Sequence, residues 1–243
     1  MADMGARDRL IVALDVPTVE LARALVGKLG DAVGFYKIGL ELVMRGGLDL
    51  ARELALNHKR VFLDMKLLDI ENTVERATRN AAAIGATFLT VHALDTKTLR
   101  AAMAGKAGTD LKILGVTVLT NLVAADLREQ GIDVPPADLV ARRARLVQQA
   151  GCEGVVTSGQ EAASVRAVVG PRMAIVTPGI RLPGEAAGDQ ARTTTPEQAI
   201  ATGADYLVVG RPINAANDPA RVAELFVQSI EAGLAKRTRM PVG

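Results

Sequence analysis

The chain has 243 residues, of which 49% are hydrophobic and 23% charged, a composition typical of a folded globular protein. Its net charge of +2, with basic and acidic residues interspersed, argues against a nucleic-acid partner. No apolar run approaches the ~20 residues of a membrane span, and the charged N-terminus lacks the apolar core of a signal peptide. The single cysteine, Cys152, excludes an intramolecular disulfide. We therefore expect a cytoplasmic protein in which this thiol is buried rather than catalytic.

Short β-branched apolar runs alternate along the chain with longer segments of helical period. Eight runs predict strands, and several are apolar throughout, as in a parallel sheet buried on both faces. The predicted strands are Leu10–Asp15, Gly34–Ile38, Arg60–Met65, Thr87–His92, Lys112–Leu119, Gly154–Thr157, Met173–Thr177 and Tyr206–Val209. Between them, apolar residues recur at intervals of three and four, which predicts one-faced helices. These helices include Val19–Leu29, Leu40–Asn57, Val74–Ile84, Asp138–Ala150 and Pro196–Ala201.

Eight strands that alternate with helices predict a closed (β/α)₈ barrel, a TIM barrel of the α/β class, as a single domain over residues 1–243. An open dinucleotide-binding sheet would have a glycine-rich turn after its first strand. This chain has Asp15-Val16-Pro17-Thr18 there instead. The basic residues from position 236 predict a flexible tail over 236–243.

Polar residues at the carboxyl ends of the strands are the candidates for function, because barrel active sites lie at that face. Acids and bases concentrate at the first three strands, whereas arginines follow the last two. The residues are Asp15, Lys37, Asp64, Lys66, His92, Thr117, Thr120, Ser158, Arg181, Gly210 and Arg211. This division predicts chemistry on one side of the barrel mouth and an anion clamp on the other.

The pair Asp64 and Lys66 is the sharpest feature of the sequence. Residues two apart on a strand share a face, so both side chains should enter the barrel mouth, where Lys37 of the neighbouring strand can join them. A row of alternating charges is the arrangement that survives in a partly dry site. The alternative is an ordinary strand-end salt bridge, with Asp69 or Asn72 capping the next helix.

Arg181 and Arg211 follow the seventh and eighth strands, the usual place for a phosphate in such barrels. Gly210 would let the backbone approach the anion, and arginine offers paired planar donors. Two surface arginines at the starts of loops are the alternative. The polar stretch from Arg181 to Thr195 has the length of loops that act as lids.

The motif Asp64-Met65-Lys66-Leu67-Leu68-Asp69-Ile70 resembles the signature of the orotidine 5′-monophosphate decarboxylase family. Six further motifs look like family motifs and occur in the family's order, close to its bacterial spacing. They are Leu14-Asp15-Val16-Pro17, Tyr36-Lys37-Ile38-Gly39, Val116-Thr117-Val118-Leu119-Thr120, Thr177-Pro178-Gly179-Ile180-Arg181, Gly188-Asp189-Gln190 and Val209-Gly210-Arg211-Pro212. The resemblance therefore extends over almost the whole chain.

This resemblance implies conversion of orotidine 5′-monophosphate to UMP and CO₂, the last step of de novo pyrimidine nucleotide synthesis, by a homodimer without metal or organic cofactor. It implies a charged tetrad of Lys37, Asp64, Lys66 and the other subunit's Asp69, in which Lys66 protonates C6 of the pyrimidine. Further implied substrate contacts are Asp15 and Lys37 at the ribose, Asp64 and Ile70, Thr73 across the dimer interface, Thr120 at the pyrimidine, and Arg181, Gln190, Gly210 and Arg211 at the 5′-phosphate. Gln190 would close over the phosphate as part of a lid.

Two other readings stay open. Related barrels use the same Asp-x-Lys-x-x-Asp framework with Mg²⁺ to act on sugar phosphates, but they carry a metal-binding acid at the second strand, where this chain has Lys37. The second alternative is a catalytically silent barrel that binds nucleotides. The chain also departs from the family pattern in having Glu71 where proline is usual. His92 is expected to be a hydrogen-bonded wall and His58 to be structural, and so few histidines make a His/Cys metal site improbable.

Overall fold

The structure is a computed structural model that describes residues 4–184 and 193–239. Eight parallel strands close into a barrel in sequence order, with the first strand paired to both the second and the eighth. The strands are β1 Leu10–Ala13, β2 Phe35–Gly39, β3 Arg60–Leu67, β4 Phe88–His92, β5 Lys112–Val116, β6 Gly154–Val156, β7 Ala174–Thr177 and β8 Tyr206–Val209. The predicted (β/α)₈ barrel is confirmed.

Helices connect successive strands and cover the outside of the barrel. They are α1 Ala6–Arg9, α2 Val19–Leu29, α3 Leu40–Val43, α4 Gly47–Leu56, α5 Glu71–Ile84, α6 Thr96–Gly105, α7 Ala124–Glu129, α8 Pro136–Gln149, α9 Ala162–Val169, α10 Pro196–Ala201, α11 Arg211–Asn214 and α12 Pro219–Arg239. The bounds predicted for α2 and α10 are confirmed. Both begin after a threonine whose side chain accepts a backbone N–H of the first turn. No helix in the described ranges is long and apolar enough to cross a membrane.

Two predicted segments differ from the structure. The single helix expected over Leu40–Asn57 is two helices, because Gly46 takes a left-handed conformation (φ 92°) between α3 and α4. The tail expected from residue 236 is helical as far as Arg239, and residues 240–243 lie outside the described part of the chain. Arg237 of this last turn reaches the buried carboxylate of Asp205 at 3.3 Å, which holds the helix end against the barrel.

Aromatic rings fill the inside of the barrel below its mouth. Phe88 lies 5.1 Å from both Phe35 and Tyr206, measured between ring centroids, and Phe62 packs against Phe88 at 5.9 Å. Offset and edge-to-face contacts of this kind are the favoured geometry of aromatic pairs. The interior below the mouth is therefore a packed core.

Candidate active site

A cavity of about 650 Å³ opens at the carboxyl ends of the strands, a volume within the range of small-molecule sites. Most of the residues predicted from strand ends line it, whereas His92, Thr117 and Ser158 do not. Those that line it are Asp15, Lys37, Asp64, Lys66, Thr120, Arg181, Gly210 and Arg211. The structure therefore brings together eight of the twelve predicted site residues.

Four charged side chains form a row of alternating sign across one side of this cavity. Lys37 Nζ lies 2.9 Å from Asp15 Oδ1 and 3.5 Å from Asp64 Oδ2, and Lys66 Nζ lies 2.8 Å from Asp64 Oδ1. Lys37 is buried, while Asp15 is half exposed at the rim. Each buried charge thus has an opposite neighbour, as an ion in a site of low dielectric requires.

The predicted contact between Asp64 and Lys66 is present, but plain strand alternation does not produce it. The pairing of β3 with β4 shifts between Leu63 and Leu67, which marks a β-bulge, and Lys66 has φ 49°. A non-glycine residue in the left-handed region carries strain of about 1–3 kcal/mol and is found most often at functional sites. The bulge directs both side chains into the barrel mouth.

The electrostatic balance at Asp64 favours its charged form. Burial by itself would raise the pKa of this carboxyl, but Lys37, Lys66 and the hydrogen bonds from Lys66 and Thr90 outweigh burial and lower it. His92, at the end of β4, has its pKa lowered by burial first and then by Lys66 and Arg143. This shift favours the neutral imidazole, and the role expected for His92 as a hydrogen-bonded wall stays a prediction.

Two glycines of the site differ in what an added side chain would contact. A Cβ at Gly39 would lie 2.9 Å from Lys37 Nζ and 3.2 Å from Asp15 Oδ1, so this glycine leaves room for the charged row. A Cβ at Gly210 would meet only ordinary contacts, the nearest being Ala13 Cβ at 3.5 Å. Protein packing alone does not demand a glycine at position 210, and its open face is available to a ligand.

The arginine side of the cavity is tied to the base of the predicted lid. Ile180 forms a parallel bridge with Thr194, and the Arg181 backbone N–H donates to the Thr194 carbonyl at 3.1 Å. The Arg181 guanidinium also donates to the Ile180 carbonyl at 2.8 Å. The two ends of the segment are thereby held together beside the cavity. Gln190, predicted to close over a phosphate, lies outside the described residues.

The remaining predicted residues, Asp69, Ile70 and Thr73, do not line this chain's own cavity. All three are exposed at the start of α5, and Ile70 keeps 73% of its surface accessible. Asp69 Oδ1 accepts from the Ile70 N–H, and Ile70 occupies the N-cap of α5 without a side-chain cap. The alternative in which Asp69 or Asn72 caps this helix is therefore wrong.

Thr90 is a contributor that sequence reasoning missed. Its hydroxyl donates to Asp64 Oδ1 at 2.9 Å and accepts from the Lys66 backbone N–H at 3.0 Å. The only sequence signal was a polar residue inside an apolar strand. Cys152 is buried as predicted, and burial raises the pKa of its thiol to about 12, which makes it unreactive.

A closed barrel whose mouth holds alternating acids and bases together with two arginines defines a class of protein, the α/β-barrel enzymes that act on a small anionic substrate at the carboxyl ends of their strands. The sequence model of the "Orotidine 5'-phosphate decarboxylase / HUMPS family" matches residues 8–226. The chain belongs to this family.

Individual relatives agree with that assignment. The chain is 54% identical over 229 residues to an orotidine 5′-phosphate decarboxylase of Rhodopseudomonas palustris strain HaA2, covering 94% of this chain and 97% of the relative. It is 56% identical to that of Methylorubrum extorquens strain PA1, covering 93% and 96%. Among solved structures, an orotidine 5′-phosphate decarboxylase from Lactobacillus acidophilus superposes with a TM-score of 0.82 at 36% identity, covering 92% of this chain and 99% of that one.

Proposed function

We propose that this protein is an orotidine 5′-monophosphate decarboxylase that works with side chains alone. The observation that carries the proposal is the row Asp15, Lys37, Asp64, Lys66 at the mouth of a barrel whose relatives carry that name. A substrate with a carboxylate at one end and a phosphate at the other suits a cavity lined both by this row and by two arginines.

In the proposed reaction the bond between C6 and the substrate carboxylate breaks, and its electron pair stays on C6 as CO₂ leaves. The Lys66 ammonium beside C6 stabilises this charge and then gives it a proton, and Lys66 regains a proton from solvent. The Asp64 carboxylate would lie close to the departing carboxylate, so that their repulsion is relieved as CO₂ forms. Lys37 and Asp15 would hold the ribose hydroxyls, and Thr120 the pyrimidine.

The phosphate would be bound by Arg181, Arg211 and the backbone at Gly210, with Gln190 closing over it. Binding energy from a group that does not react can be used to assemble the reacting end of the site. Orotidine without its phosphate should therefore lose turnover as well as affinity.

A divalent cation fits this site poorly. The Lys37 ammonium lies between Asp15 and Asp64, at the position where a metal would need those carboxylates. No cluster of three or more potential metal-binding side chains occurs in the described ranges. These observations favour the decarboxylase over the Mg²⁺-dependent sugar-phosphate enzymes.

We also propose a cytoplasmic homodimer in which each active site receives Asp69, Ile70 and Thr73 from the partner subunit. These residues are exposed and do not line their own cavity, and Ile70 itself keeps 73% of its surface accessible. Met44, after β2, is 80% exposed, and Leu68, beside Asp69, is 50% exposed. An apolar surface rimmed by polar residues is typical of an interface between subunits.

The first experiment follows the loss of orotidine 5′-monophosphate absorbance in excess EDTA. Turnover should survive chelation and fall by about 10⁴-fold or more in Lys66→Ala, which loses both the proton donor and the charge beside C6. Lys59→Ala is the matched control, because Lys59 lies at the amino end of the same strand and contacts Gly30 and Asp31.

A folded parent without turnover would contradict the proposal and favour a silent nucleotide-binding barrel. Activity restored by Mg²⁺ on sugar phosphates would favour the metal-dependent relatives.

Shared active sites can be tested by mixing two inactive variants. Lys66→Ala and Asp69→Asn should each lose turnover, but mixed dimers would contain one site with an intact Lys66 and an intact partner Asp69. If subunits exchange freely, half of the dimers are mixed, and roughly a quarter of the parent activity should return. Absence of any recovery after verified subunit exchange would contradict the shared site.

A further inference from the structure

The pairing between β3 and β4 is irregular at the segment that contains Asp64 and Lys66. Leu63 pairs with Leu89 and Leu67 pairs with Val91. Three β3 residues, 64–66, therefore lie opposite a single β4 residue, Thr90. A bulge of this kind leaves backbone groups without their regular ladder partners, and the left-handed conformation of Lys66 adds strain.

The Thr90 side chain replaces the missing ladder contacts. Its hydroxyl accepts the Lys66 backbone N–H at 3.0 Å and donates to Asp64 Oδ1 at 2.9 Å. The same Asp64 oxygen accepts the Lys66 ammonium at 2.8 Å. Thr90 is fully buried, so water cannot take over either contact. The Thr90 hydroxyl thus connects the backbone of Lys66 to the carboxylate of Asp64.

We propose that Thr90 is a positioning residue, whose hydroxyl fixes the β3 bulge so that Asp64 and Lys66 enter the cavity as a contacting pair. Its consequence for turnover rests on the proposed decarboxylase function, whereas its effect on the bulge does not. Valine has nearly the shape of threonine but lacks the hydroxyl, and it would leave the Lys66 N–H without its partner.

The hydroxyl also helps to keep Asp64 ionised. The charged or titratable groups that face Asp64 are Lys37 from β2, Lys66 from its own strand and His92 from β4, with Asp15 paired to the same Lys37. Thr90 adds a neutral donor to this set, and a donor to a carboxylate favours the charged form. Loss of the hydroxyl should therefore raise the pKa of Asp64.

The test compares Thr90→Val with Thr90→Ser in steady-state kinetics across pH. We expect Thr90→Val to lower kcat by about ten- to a hundredfold, the equivalent of one hydrogen bond to a charged group, with little change in KM. The acid limb of the kcat/KM profile should move to higher pH, and Thr90→Ser should restore both. Thr87→Val is the matched control, because Thr87 lies just before β4 and its hydroxyl accepts the Val61 N–H at 3.4 Å, away from the cavity.

Unchanged kcat and an unmoved acid limb in Thr90→Val would overturn the proposal, as would a Thr90→Ser variant as slow as Thr90→Val. If Thr90→Val does not fold, Thr90→Ala takes its place in the comparison with serine. Titration of the Asp64 carboxyl by ¹³C NMR, with Asp64→Asn to identify its signal, needs no turnover. If the parent fails to decarboxylate orotidine 5′-monophosphate but Thr90→Val still shifts this titration and Thr90→Ser does not, the proposed function falls and the positioning role stands.

Discussion

Asp205 connects three arginines at the amino end of the barrel. Its replacement by asparagine should lower the free energy of unfolding but leave turnover unchanged. The carboxylate is buried and accepts from Arg166 at 2.5 Å and from the Ile175 backbone N–H at 3.0 Å. Arg237 lies 3.3 Å and Arg9 4.0 Å away. Asparagine retains the shape and an oxygen acceptor for Ile175, so the change removes the charge and the acceptor that faces Arg237 and Arg9.

The expected cost can be estimated from these contacts. Removal of one partner from a buried ion pair typically destabilises a protein by about 3–5 kcal/mol, because the other charge is left uncompensated. Arg166 retains bonds to the carbonyls of Gly170, Met173 and Gly203, and Arg237 is partly exposed. These contacts limit the penalty, so we expect a loss near the lower end, about 3 kcal/mol.

Urea unfolding at pH 7 measures this loss, and Asp49→Asn is the matched control. Asp49 pairs with Arg52 at 2.9 Å on the surface, and such an exposed pair contributes about 0.5 kcal/mol or less. Turnover of folded Asp205→Asn at saturating substrate should equal that of the parent, because Asp205 lies at the end of the barrel opposite the mouth. Equal stabilities of Asp205→Asn and Asp49→Asn would refute the reasoning, as would a large fall in kcat without a loss of stability.

Three further predictions concern single positions. Gly39→Ala should leave the fold intact but displace the Lys37 ammonium. A displacement of that group by about 1 Å should lower kcat/KM by about a hundredfold. Steady-state kinetics measure this loss, and a thermal melt checks that the variant is folded. The pKa of Asp64 is lower in the folded protein than its unfolded value of ~3.9, so its charge stabilises the fold above that value. This contribution is lost as the pH falls through the folded pKa. The difference in melting temperature between the parent and Asp64→Asn should therefore shrink at acid pH. Cys152 should resist iodoacetamide at pH 8 until the protein is unfolded, as mass spectrometry would detect.

The sequence predicts the barrel well because its two patterns, the apolar strand runs and the helical spacing of three and four, are both local. Strands in a barrel are short, apolar and buried on both faces, and all eight were located within a few residues. The break between α3 and α4 was missed although Gly46 and Gly47 mark it. An isolated glycine lowers helix propensity only modestly, so the local pattern does not identify a left-handed turn.

Contacts between distant parts of the chain were harder to predict. The sequence indicates that Asp64 and Lys66 belong together but contains no sign of the bulge, which depends on how β3 pairs with β4. The local run around Arg237 reads as a frayed basic end, because its partner Asp205 is 32 residues away in sequence. Both features depend on tertiary pairing, which overrides local propensity.

The charges around the cavity suggest why carboxylate and phosphate would be treated differently. Asp15 and Asp64 balance Lys37 and Lys66, so the row as a whole has no net charge to offer a substrate carboxylate. Arg181 and Arg211 line the same cavity, and a phosphate bound there would carry about −1.5 to −2 charges. Under the proposed function the phosphate is therefore bound by a matching charge, whereas the carboxylate enters a region already neutral and adjacent to Asp64. Binding at one end would then hold the substrate where loss of CO₂ relieves repulsion at the other, and the same Lys66 that balances Asp64 is left to neutralise the new charge on C6.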